Sequence, residues 1–137
     1  MYPAEIVEPC RKDLLEVGVS ELRSSSEVDS ALKEASGTVL VVVNSVCGCA
    51  AGAARPALRI ALGHSKLPAK RLSVFAGVDR EATERARSYM HGYPPSSPSI
   101  ALFKDGKLVY MMERHQIEGR SPQEIAYDLV QAFDEFC

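Results

Sequence analysis

The stretch "TVLVVVNSVCGCAAGAARP", residues 38–56, decides how the rest of the chain is read. Its first part, Thr38 to Asn44, carries apolar, mostly β-branched residues at both odd and even positions. A strand with one face in water alternates apolar with polar. An unbroken apolar run therefore predicts a central strand covered by helices on both sides. Its second part, from Gly48 to about Gly63, is rich in Ala, Leu and Ile and predicts a helix. Pro56 lies inside that helix, where it costs a hydrogen bond and kinks the axis. Cys47 and Cys49 thus fall at a junction where a strand ends and a helix begins.

Outward from this junction, residues 3–17 read as a helix, with Pro3 in its first turn, Ile6, Cys10 and Leu14 on one face and Gly18 as its end. "SELRS" is a short strand. Ser26 with Glu27 opens a second helix that Gly37 stops. Downstream, "RLSVFAG" (71–77) is a strand and Asp79 caps a charged helix. The proline-rich loop "YPPSSPS" leads into "SIALF", and Asp105-Gly106 between two apolar strands is a hairpin signal. Ser121-Pro122-Gln123-Glu124 has the form of a capped helix start. The order is helix, then β-α-β-α-β-α-β-β-α, which calls for an α/β fold with a central mixed sheet flanked by helices. Nothing separates domains, so residues 1–137 are expected to form a single domain, with residues 1–18 as an N-terminal helical extension.

Composition narrows the function classes. Apolar residues make up 46% and charged residues 25% of 137 residues, ordinary for a globular protein with a core of its own. The net charge of −2 and the scatter of basic residues argue against nucleic acid as a partner. No apolar stretch approaches the ~20 residues of a membrane span. The N-terminus has early carboxylates and no apolar segment of a secretion signal, so a cytoplasmic location is expected. Thiols there are mostly kept reduced, which points four cysteines toward catalysis or metal binding rather than a disulfide framework.

A cysteine at a helix N-terminus meets unpaired N–H groups and the positive end of the macrodipole, both of which favour the thiolate. Cys47 is therefore expected to be the exposed attacking thiol with a lowered pKa, and Cys49, inside the first turn, the less exposed partner. A disulfide across C-G-C closes a ring of about eleven atoms, and strain makes such a bond more oxidising. A mixed disulfide on Cys47 would consequently persist, which suits removal of a small thiol from a substrate. Three other readings of the pair are open: a zinc or iron–sulfur site, a structural core pair, and a regulatory thiol pair. The remaining Cys and His residues form no second close pair to complete a metal site. Ser97-Pro98 is a candidate cis peptide, and its loop would offer backbone groups to an extended substrate.

Taken together, "VVVNSVCGCAAGAARP", "VFAG", "PPSSPSIALF" and "RHQIEG" resemble the bacilliredoxin family within the thioredoxin-like superfamily. The resemblance covers nearly the whole chain and implies a thioredoxin-like fold with an extra N-terminal helix. It implies a thiol–disulfide oxidoreductase that removes bacillithiol from mixed disulfides on cytosolic proteins. Cys47 would attack the bacillithiolated client and keep the bacillithiol, Cys49 would be the resolving thiol, and free bacillithiol or a flavoprotein reductase would restore the site. Disulfide isomerase activity is also associated with the family. No metal or organic cofactor is called for, because the cysteines carry the chemistry. A redox-regulated binding protein without turnover is the alternative class. The chain departs from ordinary thioredoxins at three points. The motif is C-G-C, Val46 stands ahead of Cys47, and Val41 occupies the place of the buried acid six residues before the first motif cysteine.

Further residues are assigned by position. Asn44, Ser45 and Gly48 beside the cysteines, with Ser96, Ser97 and Pro98 from the second loop, are expected to line the substrate site. Arg114 and His115 could stabilise a thiolate or bind carboxylates of bacillithiol, or His115 and Glu118 could simply order their loop. Arg55 either points back to bind an anion or lies on the surface. Cys137 is either a tail thiol or a second resolving cysteine. Cys10 reads as a small core residue, and His64 and His91 as isolated and exposed.

Overall fold

The computed structural model describes residues 2–33 and 35–137. Thr38–Asn44 forms β2, buried along its whole length, at the centre of a five-stranded mixed sheet of order β1-β3-β2-β4-β5. Lys70–Phe75 (β3) pairs with it in parallel and Ser99–Lys104 (β4) antiparallel. Ser20–Glu21 (β1) forms one edge, and Lys107–Met112 (β5) the other. The run of β-branched residues has the predicted cause. Leu40 and Val42 enter one core with helices Arg55–Ala61 (α3) and Pro122–Phe136 (α5), and Val39, Val41 and Val43 enter the other with Ser25–Leu32 (α2) and Arg80–Ser88 (α4). Val41, the position of the missing acid, is fully buried among apolar side chains.

The hairpin turn has Asp105 at φ 51° and Gly106 at φ 79°, the left-handed pair that a two-residue turn between twisted strands requires. Asp105 also accepts the Gly37 N–H at 2.8 Å, which ties the turn to the start of β2. Ser121 and Glu124 form a reciprocal capping box on α5.

Local readings needed correction where a distant partner intervenes. The cap of α2 is Ser24, which accepts the Glu27 N–H, and the helix ends at Leu32, short of Gly37. Asp79 does not cap α4 with its side chain. Its carboxylate turns instead to the buried Arg11 of Ala4–Leu15 (α1), at 2.9 Å. Arg11 also meets Glu21 at 3.2 Å and lies over the Phe75 ring, so one guanidinium fastens α1 to the sheet. Pro56 sits in the first turn of α3 rather than inside a regular helix. Ala50–Ala54, just ahead of α3, widens into a π-helical turn. The wider turn gives the proline ring room against the preceding carbonyls while the helix continues.

Candidate active site

The site forms where β2 runs out under α1. Asn44, the last residue of β2, is 2% exposed and fully engaged. Its Nδ2 donates to the Cys10 carbonyl at 3.1 Å, and its Oδ1 accepts from the Ser45 N–H at 2.9 Å and from Arg55 Nη1 at 3.1 Å. Arg55 is buried and points back, as one of the two sequence readings had it, but toward protein groups rather than a ligand. The same Nη1 reaches the Ser45 carbonyl at 2.6 Å, and Nε meets Asp13 of α1 at 3.1 Å. Asn44, Ser45 and Arg55 therefore shape the loop and do not line a substrate surface. Ser45 then accepts the Cys47 N–H on its hydroxyl at 3.2 Å.

Cys47 and Cys49 are both half-buried thiols, so the predicted contrast in their exposure is not seen; Gly48 between them is exposed, with open space where a side chain would stand. Burial pushes the Cys47 thiol pKa up. The Ser45 hydroxyl, the N–H groups of Ala50 and Cys49, and the charge of Arg114 outweigh it, and the pKa lies below the ordinary thiol value. The direction is the one expected at a helix N-terminus, with a serine and an arginine adding to the backbone.

Arg114, in the short 3₁₀ turn Arg114–Gln116 after β5, joins the two halves of the site. Its Nη2 lies 3.7 Å from Cys49 Sγ, its Nη1 donates to the Ser97 carbonyl at 3.2 Å, and its Nε to Glu118 at 2.7 Å. The Ser97-Pro98 peptide is cis. Pro98 is buried, while Ser96 and Ser97 remain partly exposed. The Ser96 carbonyl is taken by Arg87 at 3.3 Å and Ser99 at 3.1 Å. Among the described residues the Ser97 N–H donates no backbone hydrogen bond.

Other assignments resolve by distance. Glu118 pairs with Arg114, not with His115, whose ring is exposed and only within 3.9 Å of Glu113. His64 is not isolated: its Nε2 meets Asp134 near the end of α5 at 2.8 Å. That contact shows α3 and α5 running side by side to the same end, where Cys137 packs on the core. His64 follows Cys47 by 17 residues of mostly helical chain, about 25 Å at helical rise. Cys137 thus lies at the His64–Asp134 end of the two helices, away from the end that carries Cys47. Cys10 is buried beside Val7 and Phe75, as read from its helical face. Its carbonyl and Asp13 were not singled out in the sequence; they lie 34 and 42 residues from the side chains they bind, beyond any local signal. Among the described residues no group of three or more His, Cys, Asp or Glu is arranged to hold a metal ion.

A mixed sheet of this order, with a reduced cysteine pair opening a helix beside a proline loop, defines the thioredoxin-like class, and the chain is a thiol–disulfide oxidoreductase of that class. A solved oxidoreductase with a thioredoxin fold superposes with a TM-score of 0.65 at 16% identity, covering 85% of this chain and 95% of the other. A thioredoxin-like protein from Edwardsiella tarda gives 0.57 at 18% identity over 80% and 97%. The family described as disulphide isomerase matches residues 2–137. A bacilliredoxin of Salinibacter ruber is 55% identical, covering 99% of this chain and 81% of its own. One of Staphylococcus saprophyticus is 53% identical over 100% and 94%. The chain belongs to the bacilliredoxin family.

Proposed function

We propose that this chain removes bacillithiol from mixed disulfides on cytosolic client proteins, with Cys47 as the attacking thiolate and Cys49 as the resolving thiol. The observation that carries the assignment is the set of donors around Cys47, which holds its thiol below the ordinary pKa despite partial burial. In the first step the Cys47 thiolate attacks the bacillithiol sulfur of the client disulfide. The client sulfur leaves as a thiolate, and a Cys47–bacillithiol disulfide forms. Cys49 then attacks Cys47 and releases bacillithiol, or a second bacillithiol takes that role and leaves Cys47 reduced. Arg114 Nη2, 3.7 Å from Cys49 Sγ, sets a positive charge beside the resolving thiol. No carboxylate is available at Val41 to take the Cys49 proton, so closure of the strained C-G-C ring is expected to be slow. Slow closure keeps the thiol on Cys47 long enough for exchange with free bacillithiol.

The test is intact mass after mixing reduced protein with a bacillithiolated test protein. The proposal expects Cys47 to gain the bacillithiol mass as the client is freed, Cys47→Ser to be inert, and Cys49→Ser to accumulate the adduct. No transfer to the wild-type protein would reject it. The description of the matched family favours a second activity, rearrangement of protein disulfides. It predicts recovery of a scrambled disulfide protein by the same cysteines.

A further inference from the structure

A cavity of about 310 Å³ lies on the α4 side of the site, lined by Gly77, Arg80, Thr83, Glu84 and Arg87. The turn leading to it is fixed to the cysteine loop. Ala76 N–H donates to the Asn44 carbonyl at 3.0 Å, and Val78 packs on the same Val7–Cys10–Phe75 cluster as Val46, the residue before Cys47. Its other boundary is the proline loop, through the bond from Arg87 Nη2 to the Ser96 carbonyl. Gly77, at φ +79°, lets the chain turn here, and the Tyr2 ring packs against it, 3.2 Å from where a Cβ would stand.

Arg87 is short of partners. It is half-buried, its one hydrogen bond goes to a neutral carbonyl, and its Nε is buried with no acceptor. Burial lowers its pKa, with only the more distant charge of Glu84 opposing. Among the described residues neither Arg87 nor Arg80 forms an ion pair, whereas Arg11, Arg55, Arg85, Arg114 and Arg120 all do. The Thr83 hydroxyl is already spent on the Asp79 carbonyl. Two guanidinium groups facing one carboxylate, Glu84, leave the cavity with an excess of positive charge. A desolvated guanidinium without a counter-ion is unfavourable, and a carboxylate supplies both the charge and the acceptors it lacks.

We infer that this cavity receives a carboxylate of the small thiol while its sulfur is joined to Cys47, so that Arg80 and Arg87 select anionic thiols. The inference rests on the exchange role of Cys47. It places selection of the thiol on α4 and leaves Arg114 to the cysteine sulfurs. No bond changes in the cavity, since the covalent step remains attack of Cys47 on the thiol's disulfide.

The experiment uses glutathione disulfide and its methyl-esterified form, probes of equal reach with carboxylates free or masked. The rate of adduct formation on Cys47 is followed by mass in the reduced full-length protein. In Arg80→Gln, an exposed position that the fold tolerates, and in Arg87→Gln, the ratio of the free-acid to the ester rate should fall about tenfold. Arg87→Lys should recover part of it, and Arg59→Gln, on a distant face of α3, should leave the ratio alone. An unchanged ratio in both Arg80→Gln and Arg87→Gln, or equal slowing with both probes, overturns the cavity as a selector. Loss of the ratio in Arg114→Gln alone overturns it in favour of Arg114. If wild-type Cys47 takes up neither probe, the cavity is no selector of anionic thiols as a class and the inference fails. The exchange reading fails with it only if a bacillithiolated protein also transfers nothing. Uptake with an unaltered ratio fails the cavity only.

Discussion

The two walls of the site are held in different ways. The wall that carries Cys47 is fixed by buried polar groups: Asn44 and Arg55 have their donors and acceptors inside the protein, and α1 closes the back through Asp13 and the Cys10 carbonyl. The facing wall, the proline loop, is tied to the cysteines by Arg114, whose own partner is the exposed Glu118. Buried networks fail when one member is removed, because the others are left without partners. Surface ion pairs are screened and exchange readily with water. The cysteine wall is therefore the fixed one, and the arginine wall, held through an exposed ion pair, is the more exchangeable.

The largest effect should come from breaking the fixed wall. Arg55→Met leaves the Asn44 and Ser45 oxygens without their buried donor and should cost about 2–4 kcal/mol in urea unfolding, with loss of Cys47 reactivity in the folded fraction. The half-exposed Asp13 accounts for little of this, since its pairing is screened. A loss below about 1 kcal/mol would mean the wall is not anchored as described.

Arg114→Gln should leave the unfolding transition nearly in place and act on chemistry. Its positive charge favours the Cys47 thiolate, so its removal raises the thiol pKa. The pH profile of Cys47 alkylation should move to higher pH, and activity at low pH should fall most. A profile that stays put would show that the arginine wall does not act on Cys47.

The smallest effect is expected at Gly48, between the cysteines. An added methyl group meets open space there, and the residue starts a helix. Gly48→Ala should stabilise the fold by about 0.5 kcal/mol or less, read from the urea midpoint. A clear destabilisation would mean that the loop needs the freedom of glycine.

This contrast also marks what could be read from the sequence. The central strand, the hairpin at Asp105-Gly106, the Ser121–Glu124 box and the thiolate-favouring position of Cys47 depend on neighbours along the chain, and local patterns reveal them. Arg55 and Arg114 find their partners 10–42 and 17–65 residues away, apart from the local pair with Glu118. No periodicity distinguishes such a buried arginine from a surface one. The same limit hid the His64–Asp134 contact and the remoteness of Cys137, both set by how α3 and α5 pack. It also hid the Asp79 carboxylate, which a local reading takes for a cap and the structure gives to Arg11.

The central claim, that Cys47 is the activated thiol, is tested most directly by titrating it. Reduced protein is alkylated across a range of pH, and the first modified cysteine is mapped by mass. Cys47 should react first, with a midpoint below the free-cysteine value of about 8.5. A midpoint at or above that value, or prior reaction at Cys49, would contradict the account.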